Sequence, residues 1–288
     1  MAKDAKSAFC EDSRVKFPTL MHLMGMGFKY VSLKGLKTKY VAAPKTEFDP
    51  LTNILTDYFT DAYCTLNPKA EKKDAEDMLV KIQKSLQNDD LGRQFYNEIL
   101  LNTGERIIDL SSPANFYRNN TFQVTTEMTC GSKDSDNYRP DITIFVNGLP
   151  LAFIEVKKEN NHKGIQAETD RMKQRFVNPQ YRRFLNITQI MVFSNDMEYD
   201  NNEVTPTIGA FYATIGKKNT KYNCFREEGQ DSFPTARHIH QVTPEEEEVL
   251  LRDNNVPQYK NSSEYKTNCL ANTPTKRICF LSIVSIFF

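Results

Sequence analysis

Two apolar runs near the middle of the chain, residues 142–146 and 151–156, flank Asn147-Gly148. Asn-Gly between apolar runs is the strongest short-range hairpin signal, because both residues accept positive φ. Strand side chains alternate between faces, so Glu155 and Lys157, at the end of the second run, point the same way. Whether Asp141, which opens the first run, joins them depends on the turn. A two-residue loop pairs Val146 with Leu149 and sets Ile154 opposite Asp141. A three-residue loop, Asn147 to Leu149, with a bulge, pairs Val146 with Pro150 and sets Glu155 there. We expect the three-residue loop, since only that register gathers the charged groups on one face.

Apolar spacing elsewhere predicts a short helix within residues 13–26 that begins near Pro18, then a strand over 28–33. Asp49-Pro50 reads as a helix cap with proline at the first position, opening a helix to about residue 66. Helices over about 70–87 and 91–102 follow, then strands over 106–110 and 120–128. After the hairpin come a helix over about 164–176, with Ile165, Glu168, Met172 and Phe176 on one side, and a short helix over 179–185. A buried strand over 188–193 succeeds them. Strand, helix, strand in that order implies a crossover within a mixed sheet. A strand over 207–214 and a helix over 244–252, with glutamates suited to its N-terminal dipole, complete the pattern. The fold class is α/β: a central mixed β-sheet flanked by helices, with an N-terminal helical part.

Composition narrows the function classes. Lys+Arg and Asp+Glu are both 37, so net charge is zero and any nucleic-acid surface must be local. Residues 157–183 supply one, with eight basic against three acidic side chains, a net +5. The six cysteines form no C-x-x-C and no zinc spacing, and nothing resembles a signal peptide, so reduced thiols in a cytoplasm are expected. His238 and His240 are expected to be surface residues rather than a metal pair. The apolar tail, residues 278–288, is too short for a membrane span of about 20 residues. No G-x-x-x-x-G-K-[ST] occurs, hence no ATP site is expected in this chain.

The second run reads as buried around Glu155, and an unpaired carboxylate there is costly to desolvate. A divalent cation held by Asp141 and Glu155 removes that cost. A Pro-Asp pair, thirteen residues, then Glu-x-Lys on an apolar strand resembles the PD-(D/E)xK nuclease superfamily. The surrounding words are more specific. Phe122-Gln-Val-Thr-Thr-Glu-Met-Thr129, Arg139-Pro-Asp-Ile-Thr-Ile144, Asn147-Gly-Leu-Pro-Leu-Ala-Phe-Ile-Glu-Val-Lys-Lys158 and Gln189-Ile-Met-Val-Phe-Ser-Asn-Asp-Met-Glu-Tyr199 resemble the N-terminal nuclease region of type I restriction endonuclease R subunits, over roughly residues 13–277.

The resemblance implies a restriction-endonuclease-like core and a type I site-specific deoxyribonuclease that hydrolyses DNA phosphodiesters with Mg²⁺. Asp141 and Glu155 are then metal ligands, with the Val156 carbonyl a further one, and Lys157 the residue that orients or deprotonates water or stabilises the transition state. Gln166 aligns with the Gln of a Gln-x-x-x-Tyr element of this family, although Asp170 replaces the Tyr; a solvent-facing glutamine is the equal alternative. Glu127 stands as an upstream acid or as a surface strand glutamate. Lys158, Lys163, Arg171 and Arg175 are the expected contacts to the DNA backbone. In the resembled enzymes an ATP-driven motor precedes cleavage, and specificity and modification subunits complete the assembly. The expected organisation is a mobile N-terminus (1–12), a nuclease domain (13–215, helical to 104 and catalytic from 105), a linker or start of the motor region (216–277), and an apolar tail from a truncation or frame-shift. A catalytically silent remnant, retained for assembly or DNA binding, is the competing reading. A standalone repair nuclease is a third.

Overall fold

The computed structural model describes residues 12–39, 41–102, 104–131, 138–157, 164–194, 210–214, 223–224, 240–263 and 266. A wide helical turn, Asp12–Lys16, runs into α1 (Phe17–Gly25), so helical backbone begins before Pro18 rather than near it. Strand β1 (Lys29–Tyr30) and a small hairpin of β2 (Leu36–Lys37) and β3 (Ala42–Ala43) follow. Helices α2 (Thr56–Leu66) and α3 (Lys72–Ser85), a π-helical stretch Phe95–Leu100, and α4 (Pro113–Asn119) make the helical part. Then come β4 (Phe122–Thr126), β5 (Ile142–Val146), β6 (Leu149–Val156), α5 (Gly164–Phe176), α6 (Arg182–Ile187), β7 (Ile190–Ser194), β8 (Ala210–Thr214), β9 (Asn223–Cys224) and α7 (Pro244–Asp253).

The main sheet runs β1-β4-β5-β6-β7-β8-β9, with β1–β4 and β6–β7 parallel and the other pairs antiparallel. It is mixed, as the strand–helix–strand order requires. Alternation divides its core. Ala152, Ile154, Val156, Ile190 and Val192 face a large layer built with the N-terminal helices, and Phe153, Met191 and Phe193 face a smaller one closed by Met172 of α5 and Phe184 of α6.

The hairpin departs from the expected turn yet reaches the expected register. Val146 pairs with Leu149 across a two-residue loop, Asn147 at φ 52° and Gly148 at φ 76°. A bulge then shifts the register between Ile144 and Phe145, so Ile144 pairs with Ala152 and Ile142 with Ile154. Leu151 is the extra residue, and it enters the large core layer beside Ala152. One step further, Asp141 comes opposite Glu155. The loop is short because its tip is buried: Asn147 donates to the Ile107 carbonyl (2.9 Å) and Asn120 Oδ1 (2.8 Å) and accepts the Thr121 N–H (2.8 Å).

Gly148 lies against the start of α2, where its carbonyl accepts the Leu55 N–H at 2.9 Å. A Cβ there would sit 2.6 Å from the Leu55 carbonyl oxygen and 2.9 Å from the Phe59 nitrogen. Gly148→Ala combines that clash with an unfavourable positive φ, and should cost about 2–4 kcal/mol. A shift of the urea midpoint reads the loss; a change below about 0.5 kcal/mol, the range of ordinary surface substitutions, would contradict the docking of the tip on α2.

Two expected elements differ. Asp49 caps a turn rather than α2, accepting from the Leu51 N–H (3.1 Å) and Thr52 hydroxyl (2.7 Å); Asn53 at φ 63° then breaks the chain, and α2 starts at Thr56. Residues 106–110 form no strand. Side-chain amides meet their backbone groups instead: Asn120 with both the N–H and carbonyl of Asp109, and Asn147 with the Ile107 carbonyl. Donors from Ser111 and Asn119 hold the Asp109 carboxyl down to about 2.

Residues 240–263, expected to lie in a linker or the start of a motor region, pack on the main core. Leu250, Leu251, Val256 and Tyr259 are buried in the large layer. Thr243 and Glu246 form the capping box of α7, so its glutamates act at the helix start as expected. Asp253 accepts from Tyr30 Oη and Ser32 Oγ, both at 2.7 Å, and Thr126 Oγ1 donates to Asn254 Oδ1 at 2.9 Å. Among the described residues no helix is long and apolar enough to cross a membrane.

Candidate active site

Glu155 on β6 and Lys157 just past its end follow Phe153 at alternate positions, so they belong to the face covered by α5 and α6. Asp141 meets them from the neighbouring strand, and its Oδ2 accepts the Val156 N–H at 2.8 Å. Glu155 is 5% exposed and accepts from Tyr138 Oη at 2.8 Å. Burial pushes its carboxyl well above the usual carboxylate range, and the charges of Asp141 and Glu168 push further; Lys157 and the Tyr138 hydroxyl oppose them. Lys157 Nζ donates to the Val156 carbonyl at 2.9 Å and lies 3.4 Å from Glu168 Oε2.

Glu168, on α5, is the most buried acid of the group at 1% exposure, and it gathers cations. Arg171 Nη1 meets Oε2 and Arg175 Nη1 meets Oε1, each at 2.9 Å. The Arg175 guanidinium also lies 3.8 Å from the centroid of the Tyr138 ring. That ring packs edge-on against Phe153, Tyr181 and Phe184. Burial, then the charge of Glu155, drives the Tyr138 phenol well above its ordinary value, so it stays a proton donor to Glu155.

Asp141, Glu155 and Lys157 are thus brought together. Sequence reasoning gave no role to Tyr138 or Glu168. The signal for Glu168 was present: it shares a helix stripe with Met172 and Phe176, and an acid in an apolar stripe needs a buried partner. Glu127 lies just past β4 at φ 48°, its N–H bonded to the Asp141 carbonyl at 3.3 Å. Its carboxylate meets Lys16 Nζ at 2.7 Å, and Lys16 is 2% exposed, so Glu127 serves a buried lysine. Arg171 is 60% exposed and reaches solvent, whereas Arg175, at 21%, is turned inward onto Tyr138 and Glu168 rather than outward. Gln166 lies on α5, but its side chain falls outside the described residues, as do Lys158 and Lys163. His240 Nε2 pairs with Glu246 Oε2 at 2.8 Å; His238 lies outside the described residues.

Among the described residues no group of three or more His, Cys, Asp or Glu side chains is arranged to hold a metal. The set expected for Mg²⁺ is smaller, two carboxylates and the Val156 carbonyl, all oxygen donors. Excess negative charge around buried Glu155 is what a divalent cation relieves, so the residues fit such an ion. The Thr143 hydroxyl, two residues from Asp141 on the same strand face, is buried with no hydrogen-bond partner and adds an unused oxygen nearby.

The family model for the type I restriction enzyme R protein N terminus matches residues 9–204, more than half of the chain. The chain belongs to that family. The type I R-protein match spans both acids, Lys157 and all of α5, and stops before α7. No curated protein matches this R-protein N-terminal chain significantly.

Proposed function

We propose that the chain is the Mg²⁺-dependent DNA endonuclease domain of a type I restriction R subunit, acting on DNA phosphodiesters in the cytoplasm alongside specificity and modification subunits. One observation carries the reading: the bulged register sets Asp141 against Glu155, with Lys157 on the same face at the end of the sheet. Asp141, Glu155 and the Val156 carbonyl would hold the ion. When bound, Mg²⁺ supplies a more acidic water and neutralises charge on the leaving oxygen.

The chain's own groups do the rest. The Val156 N–H fixes the orientation of Asp141, and the Tyr138 hydroxyl fixes Glu155. Lys157 presents an ammonium beside the carboxylates, placed to orient the attacking water and to stabilise charge on the phosphoryl oxygens. Arg171, with Lys158 and Lys163 nearby in sequence, supplies backbone contacts that carry no sequence readout.

Supercoiled plasmid incubated with wild type and Lys157→Ala, with Mg²⁺ and without ATP, tests the proposal. Nicking that requires Mg²⁺ and falls at least about 10²-fold in the variant is expected. Absence of any Mg²⁺ binding dependent on Asp141 and Glu155 would sink it. Lys157 Nζ occupies the Val156 carbonyl that the ion would share, which favours one second reading, a DNA-binding or assembly module that does not cleave. Mg²⁺ binding without nicking selects that reading.

A further inference from the structure

The site is enclosed by a ring of contacts that leaves β6 and returns to it. Glu155 accepts from Tyr138, and Arg175 lies over the Tyr138 ring. Arg175 holds one oxygen of Glu168, and the other oxygen of Glu168 faces Lys157. Three features separate Glu168 from a helix-surface acid. It is 1% exposed, both its oxygens are engaged, and its partners come from two elements, β6 with its exit and α5. A carboxylate so deeply buried is destabilising unless several donors surround it, and a hydrophobic residue would pack the stripe at lower cost. Its position has a use: it reaches Lys157 from the helix side, opposite the Val156 carbonyl that holds the same ammonium.

We propose that Glu168 is a positioning residue, fixing the Lys157 ammonium between its own Oε2 and the Val156 carbonyl, with Arg175 and Tyr138 as the clamp that holds Glu168 and Glu155 in step. Arg175 anchors the far oxygen of Glu168, so the near oxygen is left for Lys157. Arg171 shares that near oxygen from the solvent side. Contact of Arg171 with a phosphate would draw on the same carboxylate that holds Lys157, which links occupancy of the basic surface to the position of the ammonium.

The catalytic arm of this proposal rests on the nuclease reading, so the test has two readouts. One is the rate at which an amine-acylating reagent labels Lys157, followed by peptide mass spectrometry, with exposed Lys72 and Lys73 as internal references. The other is single-turnover plasmid nicking with a separate DNA-binding titration. Glu168→Gln keeps the shape and removes the charge; Glu168→Asp keeps the charge and withdraws it by about 1.5 Å. Both variants should label Lys157 at least about tenfold faster than wild type. Nicking should fall on the order of 10²-fold at saturating DNA, while DNA affinity should not weaken, since loss of the Glu168 contact frees Arg171 for phosphate. A purely structural Glu168 would lower the melting temperature and leave labelling and the saturated rate of the folded protein unchanged, and that outcome overturns the proposal. If the Gln variant does not fold, because Arg175 loses its counter-ion, the Asp variant carries the test. If wild type nicks nothing, the nuclease reading fails and the labelling rates alone decide the role of Glu168.

Discussion

Glu155→Gln should melt at a higher temperature than wild type in the absence of divalent cations and should not nick DNA. The carboxylate it replaces is buried beside two others, and its carboxyl is pushed well above the ordinary range. A raised folded value means that the native state favours the protonated acid. The stability this group contributes is fully present below its unfolded value, near 4.5, and is lost as pH rises through the folded value. Above the unfolded value the wild type therefore bears a penalty, either for ionising the buried acid or for holding its proton, that the neutral amide does not. The amide keeps an acceptor for Tyr138 and can turn its donor toward the flanking acids. A gain of about 1–2 kcal/mol, roughly 2–8 °C, is expected above pH 7 and should vanish near pH 4. Mg²⁺ should raise the melting temperature of wild type and not that of the variant, because only the intact acid pair gains from binding. Nicking should fall on the order of 10³-fold. Equal melting temperatures at pH 8 would mean that Glu155 is not under charge strain.

A chain ended at residue 239 should not fold. Such a deletion leaves the whole family match intact, yet it removes Leu250, Leu251, Val256 and Tyr259 from the large core layer. At roughly 1.5–3 kcal/mol for each buried side chain, the loss is about 6–12 kcal/mol. That is comparable with the entire stability of an ordinary domain, about 5–15 kcal/mol. A point change probes the same contact more gently. Asp253→Ala would take from the Tyr30 and Ser32 hydroxyls the acceptor they share, at a cost of about 2–4 kcal/mol. Burial and the charge of Asp253 already push the Tyr30 phenol well above its ordinary value. Circular dichroism and urea unfolding of the shortened chain decide the matter: a cooperative transition with wild-type midpoint would show that α7 is an accessory rather than a wall of the core.

The core elements were legible because their local signals agreed with their burial. The helix over 164–176 and the strand at 190–194 sit where periodicity puts them, and the hairpin turns at Asn147-Gly148, though through two residues rather than the expected three. Misreadings arose where side chains did work that sequence pattern assigns to the backbone. Asn120 and Asn147 satisfy the backbone of residues 107–109, so an apolar run that reads as a strand needs no neighbouring strand. Asp49 looks like a helix cap and caps a turn instead, six residues before the Leu55 cap position of α2. The site was half legible. Asp141, Glu155 and Lys157 are read from one strand pair, but Tyr138 and Glu168 enter through tertiary contacts with an isolated bridge at Cys130 and a crossover helix. Glu127 reads equally as an acid for the site or a surface strand glutamate, and neither reading foresees its contact with the buried Lys16, more than a hundred residues earlier.

The bulge at Leu151 bears on how such sites are found by spacing. Thirteen residues separate the two acids, and the hairpin accounts for them as five rungs on each strand, two residues of loop and one of slack. Loop and slack are interchangeable: a three-residue loop without the bulge fills the same interval. Deleting Leu151 outright would leave a regular ladder in which Glu still faces Asp141, now across twelve residues. The interval along the chain is thus elastic by one, while the separation in space is not. A pattern that fixes the number would pass over chains that build the same pair of acids.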